Sequence, residues 1–386
     1  MNTAFDLVIV GGGAVGLSMA LNLARDSQHR ILVIEARDLE QLETKSDRSM
    51  ALSLSSQKFY AGLQLWEQLA LEVSPIKMVH VSMQHHYGTT RIQAKDYSLP
   101  ALGYVLPLSY LEKTLLRALR SYSNVTVWSN AKLLSVTSSI SPVLTVEKEG
   151  ALLEVNSRLL VGTDGAQSQV AKSCDIPYSK TEYGHIALIC HVNHTLSHEG
   201  VAYERFTQEG ALAFLPFGEK RSTFVWTVSQ SKADKLLQLS DEAYLQSALK
   251  AFGYRLGRLL SCTPRVTFPL IQSIAEKQWH EQIVLVGNSA HTLHPIAAQG
   301  LNLSLRAVIA FCETIKQDLI DPTHSQLYLS KIKRDQSTVT WITNQIAKQV
   351  SSARFPGALK ASLMVGLDGL KPIKDAFARM SMGFPI

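Results

Sequence analysis

The stretch Asp6–Glu35, DLVIVGGGAVGLSMALNLARDSQHRILVIE, predicts a strand, a glycine-rich turn, a helix and a second strand. The apolar, β-branched run 7–10 is typical of a strand buried inside a parallel sheet. Gly11, Gly13 and Gly16 fit the spacing G-x-G-x-x-G, whose glycines permit a tight turn, close approach of the backbone to a pyrophosphate, and close packing of helix on strand. The stretch therefore predicts a nucleotide-binding βαβ unit, around which the rest of the chain is organised.

The chemistry of the predicted site follows from the two ends of this unit. The helix predicted from Ala14 to Arg25 would direct its free N–H groups and its positive dipole end at the phosphates. Glu35 ends the second strand, 19 residues after Gly16. A carboxylate at that position can accept hydrogen bonds from a ribose diol and would repel a 2′-phosphate. The unit thus favours the adenosine half of FAD or NAD over that of NADP.

Composition limits the class of protein. With 386 residues and 46% hydrophobic content, the chain can bury a large core, and we expect two interleaved domains. The uncharged span 7–24 lacks a preceding basic residue and is interrupted by glycines, so it predicts neither a signal peptide nor a membrane helix. The four cysteines are far apart and form no C-x-x-C pair, which favours a reducing, cytoplasmic setting over a disulfide framework.

The positive charge is concentrated at one end of the chain. The net charge is +6, and the segment 331–386 alone carries nine basic residues against three acidic ones. Such a segment can contact an anionic membrane surface or form a solvated helix face, and both fit better than nucleic acid. We therefore expect no nucleic-acid partner and a cytoplasmic protein, with a solvated helix face and peripheral contact to the inner membrane as the two alternatives for this segment.

Two further residues are candidates for the same nucleotide site. Arg48 precedes a pattern that predicts a helix, and an Arg at such a place can pair with a pyrophosphate; an ordinary surface Arg is the alternative. Asp164 follows the apolar strand 159–162 and precedes Gly165, at the edge where open α/β sheets bind ligands. It can also simply cap the short helix predicted around Ser168, and one residue can serve both purposes.

The segment 185–268 changes to a β-rich pattern, with strands predicted at 186–192, 201–206, 211–216 and 223–228. We read it as a second domain that covers the cofactor and supplies an apolar substrate chamber. Phe214, Phe217, Phe224 and Trp226 are candidates for its lining, although the commoner role of such aromatic residues is plain core.

The chain then returns to the first domain. A buried strand at 283–286 leads into Gly287, Asn288 and, after Pro295, a helix that should start near Leu301. The free N–H groups of that helix can stabilise negative charge. His291 and His294 lack a carboxylate or cysteine to complete a metal site, so we predict no metal.

Three separated motifs occur along the chain in a fixed order. They are G-x-G-x-x-G, Asp164-Gly165, and Gly287-Asn288 leading to Pro295 and to Gln299-Gly300-Leu301-Asn302. Together they resemble the single-component aromatic flavoprotein hydroxylases of the para-hydroxybenzoate hydroxylase fold, across nearly the whole chain. The stretches HEGVAYERFTQ at 198–208 and TLHPIA at 292–297 resemble the ubiquinone-biosynthesis hydroxylases within that family.

The resemblance implies an α/β fold with a Rossmann-like FAD-binding domain interleaved with a β-rich substrate domain, plus C-terminal helices. We assign 1–75, 105–180 and 280–330 to the FAD-binding domain, 76–104 and 181–279 to the substrate domain, and 331–386 to the C-terminal helical region.

The implied chemistry is carried by the cofactor. FAD is held non-covalently, is reduced by NAD(P)H as co-substrate, and reacts with O₂ to a C4a-hydroperoxide that hydroxylates an electron-rich phenol. The expected substrate is a 2-polyprenyl-6-methoxyphenol, and the expected partners are other ubiquinone-biosynthesis proteins and a lipid carrier.

The resemblance also assigns the cofactor-binding residues. Those implied for the ADP half are Gly11, Gly13, Ala14, Gly16, Glu35 and Arg48; those for pyrophosphate and ribityl or ribose are Asp164 and Asn288; those lining the isoalloxazine are Pro295, Gly300, Leu301 and Asn302. No general base can be named.

Two other functions stay open. One is a flavin dehydrogenase or reductase acting on a hydrophobic substrate without oxygen insertion. The other is a non-catalytic FAD-binding scaffold in a biosynthetic complex, which is compatible with Ala171, Ala298 and Ala307 at positions where the family often has Arg, Gly and Asp. Product mass separates the first from a hydroxylase, and failure of NAD(P)H to bleach bound flavin would favour the second.

Overall fold

The computed structural model describes residues 4–41, 48–86, 89–293, 299–316, 318–351 and 371–384. Of the residues singled out above, His294, Pro295 and Ala298 lie outside the described residues.

The elements are numbered here in chain order. The strands are β1 (Ala4–Val10), β2 (Ile31–Ile34), β3 (Ser49–Ser53), β4 (Ser74–Ile76), β5 (Met78–Met83), β6 (Thr89–Gln93), β7 (Gly103–Pro107), β8 (Val125–Trp128), β9 (Ala131–Val136), β10 (Val143–Lys148), β11 (Ala151–Gly162), β12 (Tyr178–His194), β13 (Val201–Thr207), β14 (Gly210–Pro216), β15 (Arg221–Ser229), β16 (Leu259–Cys262), β17 (Val266–Ala275), β18 (Trp279–His280), β19 (Ile283–Leu285) and β20 (His291–Thr292). The helices are α1 (Ala14–Asp26), α2 (Leu54–Gly62), α3 (Trp66–Leu69), α4 (Leu108–Leu119), α5 (Gln169–Ser173), α6 (Gln230–Gln238), α7 (Asp241–Phe252), α8 (Gly300–Thr314), α9 (His324–Ser351) and α10 (Lys371–Ser381).

The first sheet is built around the βαβ unit that the sequence predicts. Its main path runs β18-β19-β11-β1-β2-β8, and β1 pairs in parallel with both β11 and β2. The apolar residues of β1 and β2 face packed layers on both sides of the sheet, so Leu7, Val8, Ile31 and Leu32 are all fully buried. This arrangement confirms the βαβ unit and places the carboxyl ends of β1, β2, β11 and β19 at one edge of the sheet.

One strand of this sheet is longer than the sequence suggests. The pattern at 152–155 predicts the second arm of a hairpin, and the pattern at 159–162 predicts a separate buried strand. In the structure both belong to β11, which pairs antiparallel with β10 over residues 151–156 and parallel with β1 over residues 156–162. The hairpin turn at Glu149 and Gly150 is as predicted, with both residues at positive φ.

The second sheet follows the path β20-β17-β12-β15-β14-β13-β5-β6. One face is covered by α6 and α7, and its core contains Phe214 stacked on Phe224 at 4.3 Å between ring centroids. Trp226 belongs to the same cluster. These three aromatics therefore belong to the plain core, the commoner of the two roles that the sequence allowed, and do not line a substrate chamber.

A small third sheet joins the two large ones. It consists of β3, β7 and β4, with β3 antiparallel to β7. The helical pattern that follows residue 53 in the sequence corresponds to α2, which begins at Leu54, but the stretch between Arg48 and that helix forms the strand β3, which the sequence did not predict. Residues 49–53 form a strand because they pair with β7, about fifty positions further along the chain.

The C-terminal region is helical where the structure describes it. Arg306 on α8 forms an ion pair with Asp335 on α9, its Nε lying 2.6 Å from Oδ2. Ala378 on α10 and the nearby Met382 are buried in a cluster with Leu54 and Ile92. None of the described helices combines the length and hydropathy needed to cross a bilayer. The predicted fold class is confirmed; the exact domain boundaries stay a prediction.

Candidate functional site

The glycine turn between β1 and α1 is packed too tightly for side chains. A Cβ atom on Gly16 would lie 1.9 Å from the Gly11 carbonyl oxygen, and one on Gly11 would lie 2.5 Å from the carbonyl group of Thr163. Gly11 also has a φ of +108°, which residues with side chains rarely adopt. These two glycines therefore hold the ends of β1, α1 and β11 together beside the N-terminus of α1.

Glu35 lies directly beside this turn. Its Oε2 accepts a hydrogen bond from the Gly12 N–H at 2.7 Å. Its Oε1 accepts from the backbone N–H of Arg37 at 2.9 Å and from Arg37 Nε at 3.1 Å. The carboxylate is thus held in a fixed orientation at the carboxyl end of β2. Its hydrogen bonding to a ribose stays a prediction.

Arg37 is a member of the site that the sequence pattern did not reveal. Its guanidinium links Glu35 to Glu112 on α4, with Nη1 donating to Glu112 Oε2 at 3.2 Å. Burial opposes the charge of the guanidinium, but its contacts with Glu35 and Glu112 outweigh burial and raise the pKa of Arg37. Two carboxylates from distant parts of the chain therefore share one cation.

Glu112 places a carboxylate at the N-terminus of α1. The residue is 3% exposed, and it accepts a hydrogen bond from the Ala14 N–H. Its Oε1 lies 3.5 Å from the position that a Cβ on Gly13 would occupy. Burial raises the pKa of Glu112, while Arg37 acts in the opposite direction. A negative group of the protein itself therefore lies at the helix end that the glycine motif offers to a pyrophosphate.

Asp164 lies across the turn from Gly11 and is both a helix cap and a free acceptor. Its Oδ2 accepts hydrogen bonds from the N–H groups of Gln169 at 2.7 Å and Val170 at 3.1 Å, at the start of α5. Ser168, which the sequence placed inside this helix, is its N-cap. Asp164 Oδ1 is buried and has no partner among the described residues. Burial raises the pKa of this carboxyl.

The turn at Gly287 brings the third motif to the same place. A Cβ on Gly287 would lie 3.3 Å from Val15 Cγ1 on α1 and 3.5 Å from Ser304 Oγ on α8. Asn288 follows at the surface, and its side chain is exposed and makes no hydrogen bond to any described residue. The structure thus brings the predicted Gly11, Asp164 and Asn288 segments together around the N-terminus of α1.

Asn302 fastens the start of α8 to β3. Its Oδ1 accepts hydrogen bonds from the Ser53 N–H at 2.7 Å and from Ser56 Oγ at 2.8 Å, and its Nδ2 donates to the Ala51 carbonyl at 2.9 Å. Leu301 is buried beside it, while a Cβ on Gly300 would meet no described atom within 4 Å. This helix start lies next to β3, and the role of these residues toward a flavin ring stays a prediction.

Two other predicted residues sit apart from this arrangement. The exposed Arg48 holds its guanidinium 5.3 Å from the ring centroid of Phe268 on β17, so it contacts the second sheet. His291 is buried, and neither of its ring nitrogens has a partner in the described parts of the chain. Burial lowers the pKa of His291 to about 4, which keeps the ring neutral.

The face of the second sheet opposite α6 and α7 contains a strip of half-buried residues that are apolar except for Glu204. Residues paired in register on adjacent strands point to the same side of a sheet. Such pairs join Val81, Glu204, Ala213, Val225 and Ile189 across five strands, and all five residues are half-buried. We call these five residues the chamber strip.

The chamber strip faces β3 and the start of α8. The Ser49 hydroxyl on β3 is hydrogen-bonded to that of Thr223, which precedes Val225 by two residues on the same face of β15. Ala51 on β3 packs in one cluster with Ala202, which precedes Glu204 by two residues on β13. This face therefore presents mostly small and aliphatic side chains, and a substrate chamber lined by them stays a prediction. Of the four predicted aromatics, Phe217 alone borders this face, packed against this same cluster.

Glu204 was part of the stretch that carried the resemblance, but the sequence did not single it out. The alternation Ala202, Tyr203, Glu204, Arg205 could have done so, because the polar carboxyl falls on the same side as a core alanine. Arg205 on the other side donates to the Ala251 carbonyl on α7. Glu204 itself has no hydrogen bond or ion pair with the described residues, and burial raises its pKa to about 8.

The residues present fit a flavin dinucleotide. The glycine turn allows a ligand to approach the backbone closely. The buried Asp164 Oδ1 is a hydrogen-bond acceptor without a donor among the described residues. The exposed Asn288 amide lies beside the same turn. A ligand running from there to the start of α8 would end beside the chamber strip. Among the described residues, the Glu112 carboxylate at the N-terminus of α1 opposes this fit.

Comparisons with known proteins agree with this geometry. The sequence model of a family described as FAD binding domain matches residues 4–330. Ubiquinone hydroxylase UbiL of Rhodospirillum rubrum is 30% identical over 98% of this chain and 89% of its own length. The 3-demethoxyubiquinol 3-hydroxylase of Escherichia coli is 29% identical over 81% of this chain and 80% of its own.

Among solved structures, PqsL of P. aeruginosa in complex with 2-aminobenzoylacetate superposes with a TM-score of 0.81, covering 94% of this chain and 99% of its own at 16% identity. At that identity the likeness concerns the fold alone. Because the superposition covers 94% of this chain, it includes both large sheets.

Proposed function

The chain belongs to the FAD-binding-domain family and is an FAD-dependent aromatic hydroxylase; from this premise we propose that it hydroxylates the ring of a 2-polyprenyl-6-methoxyphenol in ubiquinone biosynthesis, with NAD(P)H as electron donor. One oxygen atom of O₂ would enter the ring, and the other would leave as water.

The observation that carries the proposal is the relative UbiL, named a ubiquinone hydroxylase and similar over nearly the whole chain. The chamber strip supports it from the structure. Its apolar members would hold an aromatic ring and exclude water, and the small Ala213 at its centre leaves room for a substituted ring. A long prenyl tail suits an apolar chamber better than a polar one.

Bound FAD, once reduced, would activate O₂ for insertion of one of its oxygen atoms. The chain's own residues bind and orient. Gly11, Gly13, Ala14 and Gly16 would hold the pyrophosphate at the N-terminus of α1, and Glu35 would hold the ribose. Asp164 and Asn288 would bind the pyrophosphate and the ribityl or ribose hydroxyl groups of the cofactor.

The flavin ring would then lie at the start of α8. The N–H groups of Gly300, Leu301 and Asn302 would stabilise its negative charge when reduced, and Pro295 would complete the lining. The chamber strip would hold the phenol against the ring.

The electron donor is part of the proposal. NAD(P)H has no separate glycine fingerprint elsewhere in the sequence, so it would have to approach the flavin from solvent. Anaerobic mixing of the FAD-loaded protein with NADH and with NADPH, followed by flavin absorbance, tests this. Bleaching by either supports the proposal, and no bleaching with substrate present points instead to the non-catalytic scaffold.

The substrate's prenyl tail suggests contact with a membrane or a lipid carrier. We propose that the basic C-terminal segment provides it, since the whole net charge of the chain resides there. Truncation is a poor test, because Ala378 is part of a buried cluster. Replacement of Lys333, Lys371 and Lys374 by Gln should weaken flotation with anionic vesicles, and equal flotation would contradict this part of the proposal.

A genetic experiment tests the pathway. Deleting the gene in its host should cause a polyprenyl methoxyphenol to accumulate, as identified by mass spectrometry, and complementation should remove it. An unchanged quinone pool would contradict the assignment to ubiquinone biosynthesis and leave an FAD hydroxylase of another phenol.

A further inference from the structure

Glu204 is a carboxyl group without a partner in the middle of an apolar surface. Its neighbours in the chamber strip are Val81 on β5 and Ala213 on β14. No hydrogen bond or ion pair joins it to the described residues, and the residue is half-buried on the face that carries the chamber strip. Placing a carboxylate among apolar side chains costs free energy, which a contact with a ligand can offset.

The groups around Glu204 leave its charge uncompensated. The adjacent strands present Val79, Val81 and Met83 from β5, and Ala211, Ala213 and Leu215 from β14, on the same face. His191 is on this face of β12, three strands away, which corresponds to about 14 Å. Tyr203 and Arg205 point to the opposite face, where Tyr203 packs in the aromatic core and Arg205 bonds α7.

The position relates Glu204 to the site of chemistry. Thr223 on β15 contacts Ser49 of β3, the strand that Asn302 fastens to the start of α8. The neighbouring strip residue Val225 is two strands from Glu204, which corresponds to about 10 Å. That separation matches a ring lying across the strip, with one end toward α8 and its hydroxyl toward β13.

We infer that Glu204 is the proton acceptor for the phenol hydroxyl during ring hydroxylation, an inference that rests on the proposed function. The phenol O–H bond breaks, its proton moves to a Glu204 carboxylate oxygen, and the electron pair stays on the phenolate oxygen. The phenolate donates this charge into the ring, which makes the ring carbon a better nucleophile toward electrophilic oxygen. After oxygen transfer, the proton lost by the ring carbon is released to solvent, and Glu204 returns its proton to the product's oxygen.

The acid strengths are suited to this transfer. Burial raises the pKa of Glu204 to about 8, and a phenol hydroxyl ordinarily has a pKa of about 10. A carboxyl with an ordinary pKa would be a far weaker base. Proton transfer between groups of such similar acidity needs little driving force.

The inference is tested by observing the bound phenol directly. FAD-loaded wild-type protein, Glu204→Gln, Glu204→Asp and the exposed control Glu154→Gln would each be mixed with a 2-methoxyphenol carrying a short prenyl chain at C6, without O₂ or NAD(P)H. Ultraviolet difference spectra would record phenolate between about pH 6 and about pH 10. In parallel, kcat/KM for hydroxylation of the same compound would be measured with O₂ and NAD(P)H.

We expect phenolate in the wild-type protein to form with a midpoint well below that of the free phenol. Glu204→Asp and Glu154→Gln should retain this shift, whereas Glu204→Gln should lose it and lower kcat/KM about a hundredfold. Equal phenolate formation in Glu204→Gln and wild type would overturn the inference. If Glu204→Gln does not fold, the wild-type measurement still tests the inference: a phenolate midpoint in the wild-type protein equal to that of the free phenol would overturn it.

The two proposals fail separately. A wild-type protein that ionises the phenol through Glu204 but yields no hydroxylated product contradicts the proposed function and leaves the proton acceptor standing. A wild-type protein that hydroxylates the compound while Glu204→Gln keeps the same spectra and pH profile contradicts only the role of Glu204.

Discussion

The side-chain oxygen of Asn302 accepts a hydrogen bond from the Ser53 N–H at 2.7 Å, joining residues 249 positions apart. The contact ties the start of α8 to β3, and β3 in turn touches the second sheet through the Ser49 and Thr223 hydroxyls. One amide therefore sets the spacing between the helix end proposed to face the flavin and the strands that carry the chamber strip.

Replacing Asn302 by Ala should lower both stability and FAD affinity. Three hydrogen bonds are lost, and the Ser53 N–H and Ala51 carbonyl are left without their partner in a buried place. The expected loss in the free energy of unfolding is about 3 kcal/mol. Denaturant unfolding of the apoprotein and titration of FAD fluorescence would measure the two effects.

Asn288 offers the matched control. Its side chain is exposed and makes no hydrogen bond to the described residues, so Asn288→Ala should leave the unfolding free energy of the apoprotein within about 0.5 kcal/mol of wild type. It should still weaken FAD binding if the amide bonds the cofactor. Unchanged FAD affinity would remove Asn288 from the site.

Gly16→Ala should disrupt the nucleotide unit. The new Cβ would lie 1.9 Å from the Gly11 carbonyl oxygen, and backbone must move to relieve the clash. We expect a loss of about 3 kcal/mol in unfolding free energy together with loss of FAD binding. Gly62→Ala, where no described atom lies within 4 Å of the new Cβ, should change stability by less than about 1 kcal/mol. Equal effects of the two substitutions would contradict the close packing of the turn.

Glu112→Gln should bind FAD more tightly than wild type. The carboxylate shares the N-terminus of α1 with the proposed pyrophosphate, and removing its charge removes a repulsion of about 1 kcal/mol, equivalent to about fivefold in the dissociation constant. Fluorescence titration of the apoprotein at low salt would measure it, with the exposed Glu72→Gln as control. Weaker binding by Glu112→Gln would mean that Glu112 acts mainly by positioning Arg37.

The nucleotide unit could be predicted from sequence because its determinants are local. Buried β-branched residues, the spacing of Gly11 and Gly16, and Glu35 at the end of the second strand all lie within thirty positions. The helix at Gly300 was likewise predicted to within one residue. In each case one segment contains both the pattern and the reason for it.

The chamber could not be predicted in this way, because it depends on which face of a sheet is covered. Alternation along β14 separates Ala213 from Phe214, but only the packing of α6 and α7 decides that Phe214 enters the core. Glu112 and Arg37 meet through tertiary contact alone. The strand β3 after Arg48 was not predicted, because its pairing with β7 is not visible locally.

The pH dependence of stability should report on Glu204. Burial raises its pKa from 4.5 to about 8, so the folded protein holds the proton more strongly than the unfolded chain does. The contribution of Glu204 to the free energy of unfolding is therefore fully present at low pH. It is lost as pH rises from about 4.5 toward about 8. Thermal unfolding would be measured at pH values across this range. As pH rises, the stability of Glu204→Gln should increase relative to that of wild type, whereas the stability of Glu154→Gln should change with pH as that of wild type does. Parallel curves for Glu204→Gln would contradict the raised pKa.

The central claim is that the protein inserts an oxygen atom into a polyprenyl methoxyphenol. The direct measurement incubates the FAD-loaded protein with NAD(P)H, ¹⁸O₂ and 2-polyprenyl-6-methoxyphenol and analyses the product by mass spectrometry. We predict a product that carries one ¹⁸O atom on the ring. A product without label, or consumption of NAD(P)H that leaves the phenol unchanged, would contradict the claim.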